Sequence, residues 1–171
     1  MVKTNQSITE QILGKRKKIK SMKVVIQRVS KASVTINEVK VASIENGLLV
    51  LLGIVAEDLQ EDIDFLVRKI SNLRIFNDEN QVMNKSLIDI QGEVIVVSQF
   101  TLHAFIKKGN RPSYIRAAKP EIAIPFYENF VFSLEKELGK KVQTGEFGTD
   151  MRVEILNDGP VTIVIDSKNK E

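Results

Sequence analysis

The sequence predicts an α+β fold with antiparallel or mixed sheets, on three observations. Apolar, β-branched runs at residues 48–55 (LLVLLGIV) and 94–97 (VIVV) have the composition of strands buried on both faces. Two stretches, after Asp58 and after Pro120, carry apolar residues at helical spacing. The elements also fall in the order strands, helix, strands, helix, strands, a segregation that favours α+β.

Taken in order, residues 22–29 read as a strand with Gln27 and Arg28 near its end. Residues 33–36 and 39–42 alternate around Asn37-Glu38, a hairpin pattern with a weaker turn than Asn-Gly. Asn46-Gly47 is the better turn, and it leads into the buried strand at 48–55. Asp58 with Glu61 has capping-box spacing and opens a helix with Ile63, Leu66, Val67, Ile70 and Leu73 on one face. Residues 74–76 read as a short strand and 77–80 as a polar turn, whereas 82–90 fit no single pattern.

A central strand is expected at 94–101, followed by a loop to Ala118. The second helix covers Pro120–Leu138, with Tyr127, Phe130, Val131, Leu134 and Leu138 at core positions. Gly139 stops it, and Pro125 falls in its first turn or divides it. Residues 142–148 read as a loop and 151–156 as a strand. Asn157-Asp158-Gly159-Pro160 reads as a turn into a last strand at 161–165, and 167–171 as a polar tail.

With 171 residues, 43% of them hydrophobic, the chain suits one domain with a normal core. No run reaches the ~20 apolar residues of a membrane span. Charge is uneven. Residues 1–21 hold six Lys/Arg against Glu10, whereas residues 22–171 hold 19 basic and 21 acidic groups, a net of −2. The basic pI therefore comes from the N-terminal extension, and an RNA contact must rest on local patches. Within that extension Ser7 and Glu10 resemble a capping box, with Ile8, Ile12, Leu13 and Ile19 as a short stripe ahead of the run Lys15, Arg16, Lys17, Lys18. Residues 1–21 read as a dispensable, flexible extension to a domain at 22–171.

The central strand turns abruptly polar at Ser98, Gln99 and Thr101, with Phe100 and Leu102 apolar between them. Buried polar atoms need partners, so this end delivers them either to neighbouring backbone or to a substrate pocket. A serine or threonine nucleophile would need a base, and the chain has one histidine, His103. In an extended strand His103 would share a face with Thr101, yet no acid to orient it lies nearby in sequence. With no cysteine and one histidine, a metal or cofactor site is not expected. Asp58, Glu61, Asp62 and Asp64 serve a helix start, where they offset the dipole. The loop after the strand mixes Lys107, Lys108, Arg111, Arg116 and Lys119 with Phe105 and Tyr114, which suits either a solvated basic loop or a phosphate contact with stacking.

Four motifs turn this reading in one direction: QRV at 27–29, SQFTL at 98–102, KGNRPSY at 108–114 and NDGPVT at 157–162. Together they closely resemble the D-aminoacyl-tRNA deacylase family, and the likeness runs from Met22 to Ile165. The resemblance implies a single three-layer domain with two β layers and one helical layer. It implies an ester hydrolase, without cofactor, that frees tRNA from D-amino acids and from mischarged glycine. Ser98 and Gln99 would line the pocket, with the amides of Phe100 and Thr101 at the scissile ester of the tRNA 3′ end. Gly159 and Pro160, joined by a cis bond, would enter from the other subunit of a homodimer as a chirality filter, held by Arg28. Catalysis would rest on main-chain groups and the substrate 2′-hydroxyl, in a cytoplasmic protein. A catalytically silent RNA-binding or regulatory relative and a Thr101-nucleophile hydrolase remain the alternatives, and a basic tail touching tRNA is the alternative for residues 1–21.

Overall fold

A computed structural model describes residues 20–107 and 109–169; the expected amphipathic stretch and basic run before residue 20 lie outside that set. β1 (Lys23–Ile36) is one strand where two were expected. It stays continuous because it changes partner midway along one edge. Residues 23–29 pair antiparallel with β3 (Gly47–Gly53), and residues 32–36 pair antiparallel with β2 (Val39–Ile44). The hairpin turn at Asn37-Glu38 has positive φ at both residues, as a tight primed turn requires.

β8 (Arg152–Asp166) covers the other edge of β1 along nearly its whole length. It too is continuous, and the expected turn at 157–160 is instead a wide bulge. Gln27 pairs with Thr162 and Val29 with Asn157, so Asp158, Gly159, Pro160 and Val161 stand opposite the single residue Arg28. Extra residues in one strand leave the ladder locally unpaired and bend the chain outward.

β3 pairs in parallel with β6 (Glu93–Ser98), and both are apolar on both faces. One face, with Leu48, Val50, Leu52, Val94 and Val96, packs under the helices. The other, with Leu49, Ile95 and Val97, packs on Val29, Val34, Ala42 and Ile44 of the β1–β2 layer. The result is the expected three-layer α+β arrangement, helices over one β layer over another. A two-residue strand, β7 (Gln143–Thr144), extends the sheet beside β6 within the stretch read as a loop.

The helical layer has two members. α1 (Gln60–Asn72) buries Ile63, Leu66, Val67 and Ile70, as the spacing predicts. Its cap sits one residue later than expected, with the Leu59 N–H donating to Asp62 Oδ2 at 2.8 Å. Asp58 turns inward instead and accepts from the Val55 N–H at 2.7 Å. α2 (Pro120–Leu138) is a single helix that accommodates Pro125 and ends at Gly139 with φ 65°. Its Tyr127 hydroxyl crosses to the sheet and donates to the Val96 carbonyl at 2.8 Å. Between α1 and β6, β4 (Phe76–Asn77) and β5 (Met83–Lys85) form a small ribbon, so the ambiguous stretch 82–90 is a short strand followed by turns.

The residues just after β8 are clasped beside α1. Asp62 accepts from the Ser167 hydroxyl at 2.5 Å, and Lys168 Nζ lies 3.5 Å from Asp62 and 3.8 Å from Asp58. Burial, with Asp62 beside it, raises the Asp58 carboxyl from 3.8 to about 6. The folded state thus holds this proton more tightly than the unfolded chain does. The resulting stability is complete below pH 3.8 and is lost as pH rises through about 6. In urea unfolding from pH 4 to 8, wild type should lose about 2 kcal/mol relative to Asp58→Asn, and a flat difference would contradict the buried proton.

Candidate active site

The site is built where the parallel pair ends. β6 stops at Ser98, three residues earlier than the sequence suggested, and the Gln99 N–H makes a last ladder-like bond to Leu52 O at 2.7 Å. The chain then tightens into a 3₁₀ turn, Phe100–His103. The first N–H groups of such a turn have no partner within it. Among the described residues neither the Phe100 nor the Thr101 N–H finds an acceptor, whereas Leu102 and Ala104 donate to Gln99 O and Thr101 O.

Beside this turn lies a cavity of about 60 Å³. Ser98, Gln99 and Phe100 line it together with Leu52, Ile54, Ala118 and Phe147, which contribute apolar surface. Only the first three of these were legible as site residues. Phe147 comes from a stretch read as a loop, and its ring meets Tyr127 edge-on at 5.9 Å.

The turn corrects the Thr101–His103 geometry expected of an extended strand. The Thr101 hydroxyl accepts from Gln99 Nε2 at 2.5 Å, and no hydrogen bond joins it to His103 among the described residues. His103 is buried, its Nε2 is without a hydrogen-bond partner, and burial holds its pKa below the ordinary value. A neutral imidazole that does not touch the hydroxyl is a packing group.

What it packs on is Gly53, the last residue of β3, which the sequence reading passed over. A Cβ built there would lie 2.9 Å from His103 Nε2, 3.0 Å from Leu102 Cβ and 3.1 Å from Gln99 O. The absent side chain is what lets the turn sit directly on the strand end.

Arg28, Gly159 and Pro160 form a second group. Arg28 is buried and fills the bulge of β8. Its Nε lies 3.2 Å from Asp158 O and 3.1 Å from Asp158 Oδ2, and its Nη1 donates to Ile75 O at 2.5 Å. Gly159 has φ 119°, and the Gly159-Pro160 bond is cis. A Cβ at Gly159 would come 3.0 Å from the Val161 N and side chain and 3.1 Å from Arg28 Nη2.

The structure does not bring the two groups together. Arg28 pairs with Leu48, whereas Ser98 pairs with Leu52. Those rows are about 13 Å apart along the strands, and three strand spacings of ~4.8 Å lie across the sheet between β8 and β6. Within one chain Gly159 and Pro160 are exposed at the opposite strand end from the cavity.

The family described as D-Tyr-tRNA(Tyr) deacylase matches residues 25–166. A D-aminoacyl-tRNA deacylase of Flavobacterium johnsoniae is 69% identical over 150 residues, covering 88% of this chain and all of the relative. One from Bacteroides fragilis is 64% identical over the same shares. A solved structure titled c-Myc DNA Unwinding Element Binding Protein is 44% identical with a TM-score of 0.79, over 84% of this chain and 97% of that one. A probable eukaryotic D-amino acid tRNA deacylase, 17% identical with a TM-score of 0.75 over 85% and 99%, shares the fold. The chain is therefore a hydrolase that belongs to the D-Tyr-tRNA(Tyr) deacylase family.

Proposed function

We propose that this protein hydrolyses the ester of D-aminoacyl-tRNA, and of glycine mischarged on tRNA, releasing tRNA and the free amino acid. The observation that carries the reading is the pair of unpartnered N–H groups at Phe100 and Thr101, beside an apolar cavity. In this mechanism water adds to the ester carbonyl, assisted by the vicinal 2′-hydroxyl of the substrate. The two amides hold the oxyanion, an effect worth about 3 kcal/mol per donor. Collapse of the adduct breaks the acyl–oxygen bond and returns the ribose hydroxyl. Ser98 and Gln99 line the pocket.

The chirality filter is the Gly159-Pro160 element of a second copy. Its distance from the cavity within one chain supports a site shared between subunits. So does the edge of β8, which carries exposed Ile155, Leu156 and Val164. A main-chain wall there excludes the side chain of an L-amino acid and admits glycine, which has none. Arg28 keeps the wall in shape. We place the homodimer in the cytoplasm with its tRNA substrates. Among the described residues no helix is long and apolar enough to cross a membrane. A second reading, a nucleic-acid-binding relative without catalysis, draws on the printed title of the 44% identical neighbour. Deacylation of matched D- and L-tyrosyl-tRNA separates the two. Rapid loss of the D-ester alone is expected, and no hydrolysis of either would favour the binding protein.

Three sets of variants probe the parts. Thr101→Ala and His103→Ala should each keep kcat within about tenfold, near 1.4 kcal/mol, because neither side chain supplies a nucleophile or base. A covalent aminoacyl-enzyme in wild type, lost in Thr101→Ala, would reverse that assignment. Gly53→Ala should lower kcat by about a hundredfold while circular dichroism stays native, since its Cβ must push the turn that carries both amides. Wild-type turnover in a folded Gly53→Ala protein would show that the turn gives way freely. Gly159→Ala and Thr101→Pro should each abolish activity in homodimers. When mixed, one site takes both defects and the other neither, so about half of wild-type activity per heterodimer should return. Absence of recovery would mean that each site is made from one chain.

A further inference from the structure

Between Glu93 and Glu121 the chain carries five Lys/Arg and no carboxylate, although residues 22–171 are acidic overall. Four of the five, Lys107, Arg111, Arg116 and Lys119, lie on the described part of the segment that runs from the turn at Phe100–His103 to the cavity wall at Ala118 and the start of α2. Phe105 and Ser113 exchange two backbone hydrogen bonds, 2.8 and 3.0 Å, and so close a small loop. The chain that follows it is tied to the pocket wall by the Ala118 N–H, which donates to Ile54 O at 2.9 Å. Lys107, Arg111, Arg116 and Lys119 are exposed, and among the described residues none of them pairs with a carboxylate.

Aromatic rings join the loop to the catalytic turn. Tyr114 meets Phe100 edge-on at 5.0 Å, and both rings are open to solvent, Phe100 to 55%. The Arg116 guanidinium lies over the Phe105 ring at 4.2 Å. That contact restrains the guanidinium while its outer N–H groups stay free for an anion. Unpaired cations interleaved with exposed aromatics are what single-stranded nucleic acid requires: charge for the backbone and π faces for the bases. An acidic protein would use the cations and leave the rings without a role.

We propose that this lip is the landing surface for the single-stranded 3′ end of the tRNA. Lys107, Arg111 and Arg116 take backbone phosphates, and the Tyr114–Phe100 pair receives the unstacked base that precedes the terminal adenosine. The proposal deepens the deacylase reading and rests on it for the identity of the RNA. It adds the contacts by which a macromolecular substrate is told from a small ester.

The test compares wild type with Lys107→Gln/Arg111→Gln/Arg116→Gln, with Tyr114→Ala, and with a control, Arg68→Gln/Lys69→Gln/Lys136→Gln, which removes equal charge from the helices. Binding of uncharged tRNA is followed by fluorescence anisotropy from 50 to 200 mM salt, and hydrolysis is assayed on D-tyrosyl-tRNA and on D-tyrosyl-3′-adenosine. The lip triple variant should bind at least tenfold more weakly at low salt, and its log–log salt slope should fall by about 0.7 per cation removed. Tyr114→Ala should weaken binding about tenfold with the slope unchanged, the mark of lost stacking. For both, the loss should fall on KM for the tRNA and not on the adenosine ester. An unchanged slope in the lip variant, an equal loss in the helix control, or an equal loss on both esters would each overturn the proposal. Wild type that binds tRNA in this pattern without hydrolysing either ester would sink the deacylase reading and leave the lip standing.

Discussion

Two parallel strands buried on both faces set the terms for this molecule. β3 and β6 offer Leu48, Val50, Leu52, Val94 and Val96 on one side and Leu49, Ile95 and Val97 on the other. Leaving either side in water would forgo roughly 1.5–3 kcal/mol for each large side chain. One side is covered by α1 and α2, which belong to the connections around β6. The other is covered by the far half of β1 with β2, and this is why β1 is 14 residues long and changes partner in its middle. The helical layer and the second β layer are two answers to one constraint.

The same pair places the chemistry. Strands that end together at their carboxyl side leave backbone groups without ladder partners there, a common location for ligand sites in sheets of this kind. Here the ladder runs out at Ser98, and the chain turns before the next N–H groups can be used internally. Gly53 lets the turn settle onto the neighbouring strand end, and His103 fills the space below as a neutral ring. The hydroxyl at Thr101 is already occupied by Gln99, so the free capacity at this point is main-chain N–H.

At the other end of the sheet a different device operates. Four residues of β8 stand against one of β1, and the gap would be a defect without Arg28. A buried guanidinium is costly unless its donors are satisfied, and charge-assisted bonds satisfy them best. Arg28 reaches the carbonyl and carboxylate of Asp158 on one side and the carbonyl of Ile75 on the other. The bulge is thus held by three acceptors from two parts of the chain, which keeps Gly159 and Pro160 exposed and fixed in direction.

Much of this was legible in local chemistry. Helix α2 begins at Pro120 and ends at Gly139 as read, because proline and glycine act within their own turn. The buried strands and the α1 face were likewise visible, since composition and spacing carry them, whereas Ser98, Gln99, Phe100 and Thr101 were singled out by the resemblance. Other features depend on partners distant in sequence. Whether residues 157–160 make a turn or a bulge is decided by Arg28, 130 positions away, and by β1 continuing alongside. Asp58 looked like a cap, but its carboxylate is drawn inward to the Val55 N–H and Lys168. Gly53 gave no signal of its own, because the turn that rests on it, Phe100–His103, begins 47 residues later. The sequence by itself determined the elements and the polar end of the central strand, because those follow from burial and backbone propensity over a few residues, and the three layers were implied by the resemblance. Only the tertiary structure decided that the two motifs lie at opposite ends of one sheet, because strand register is a property of pairs.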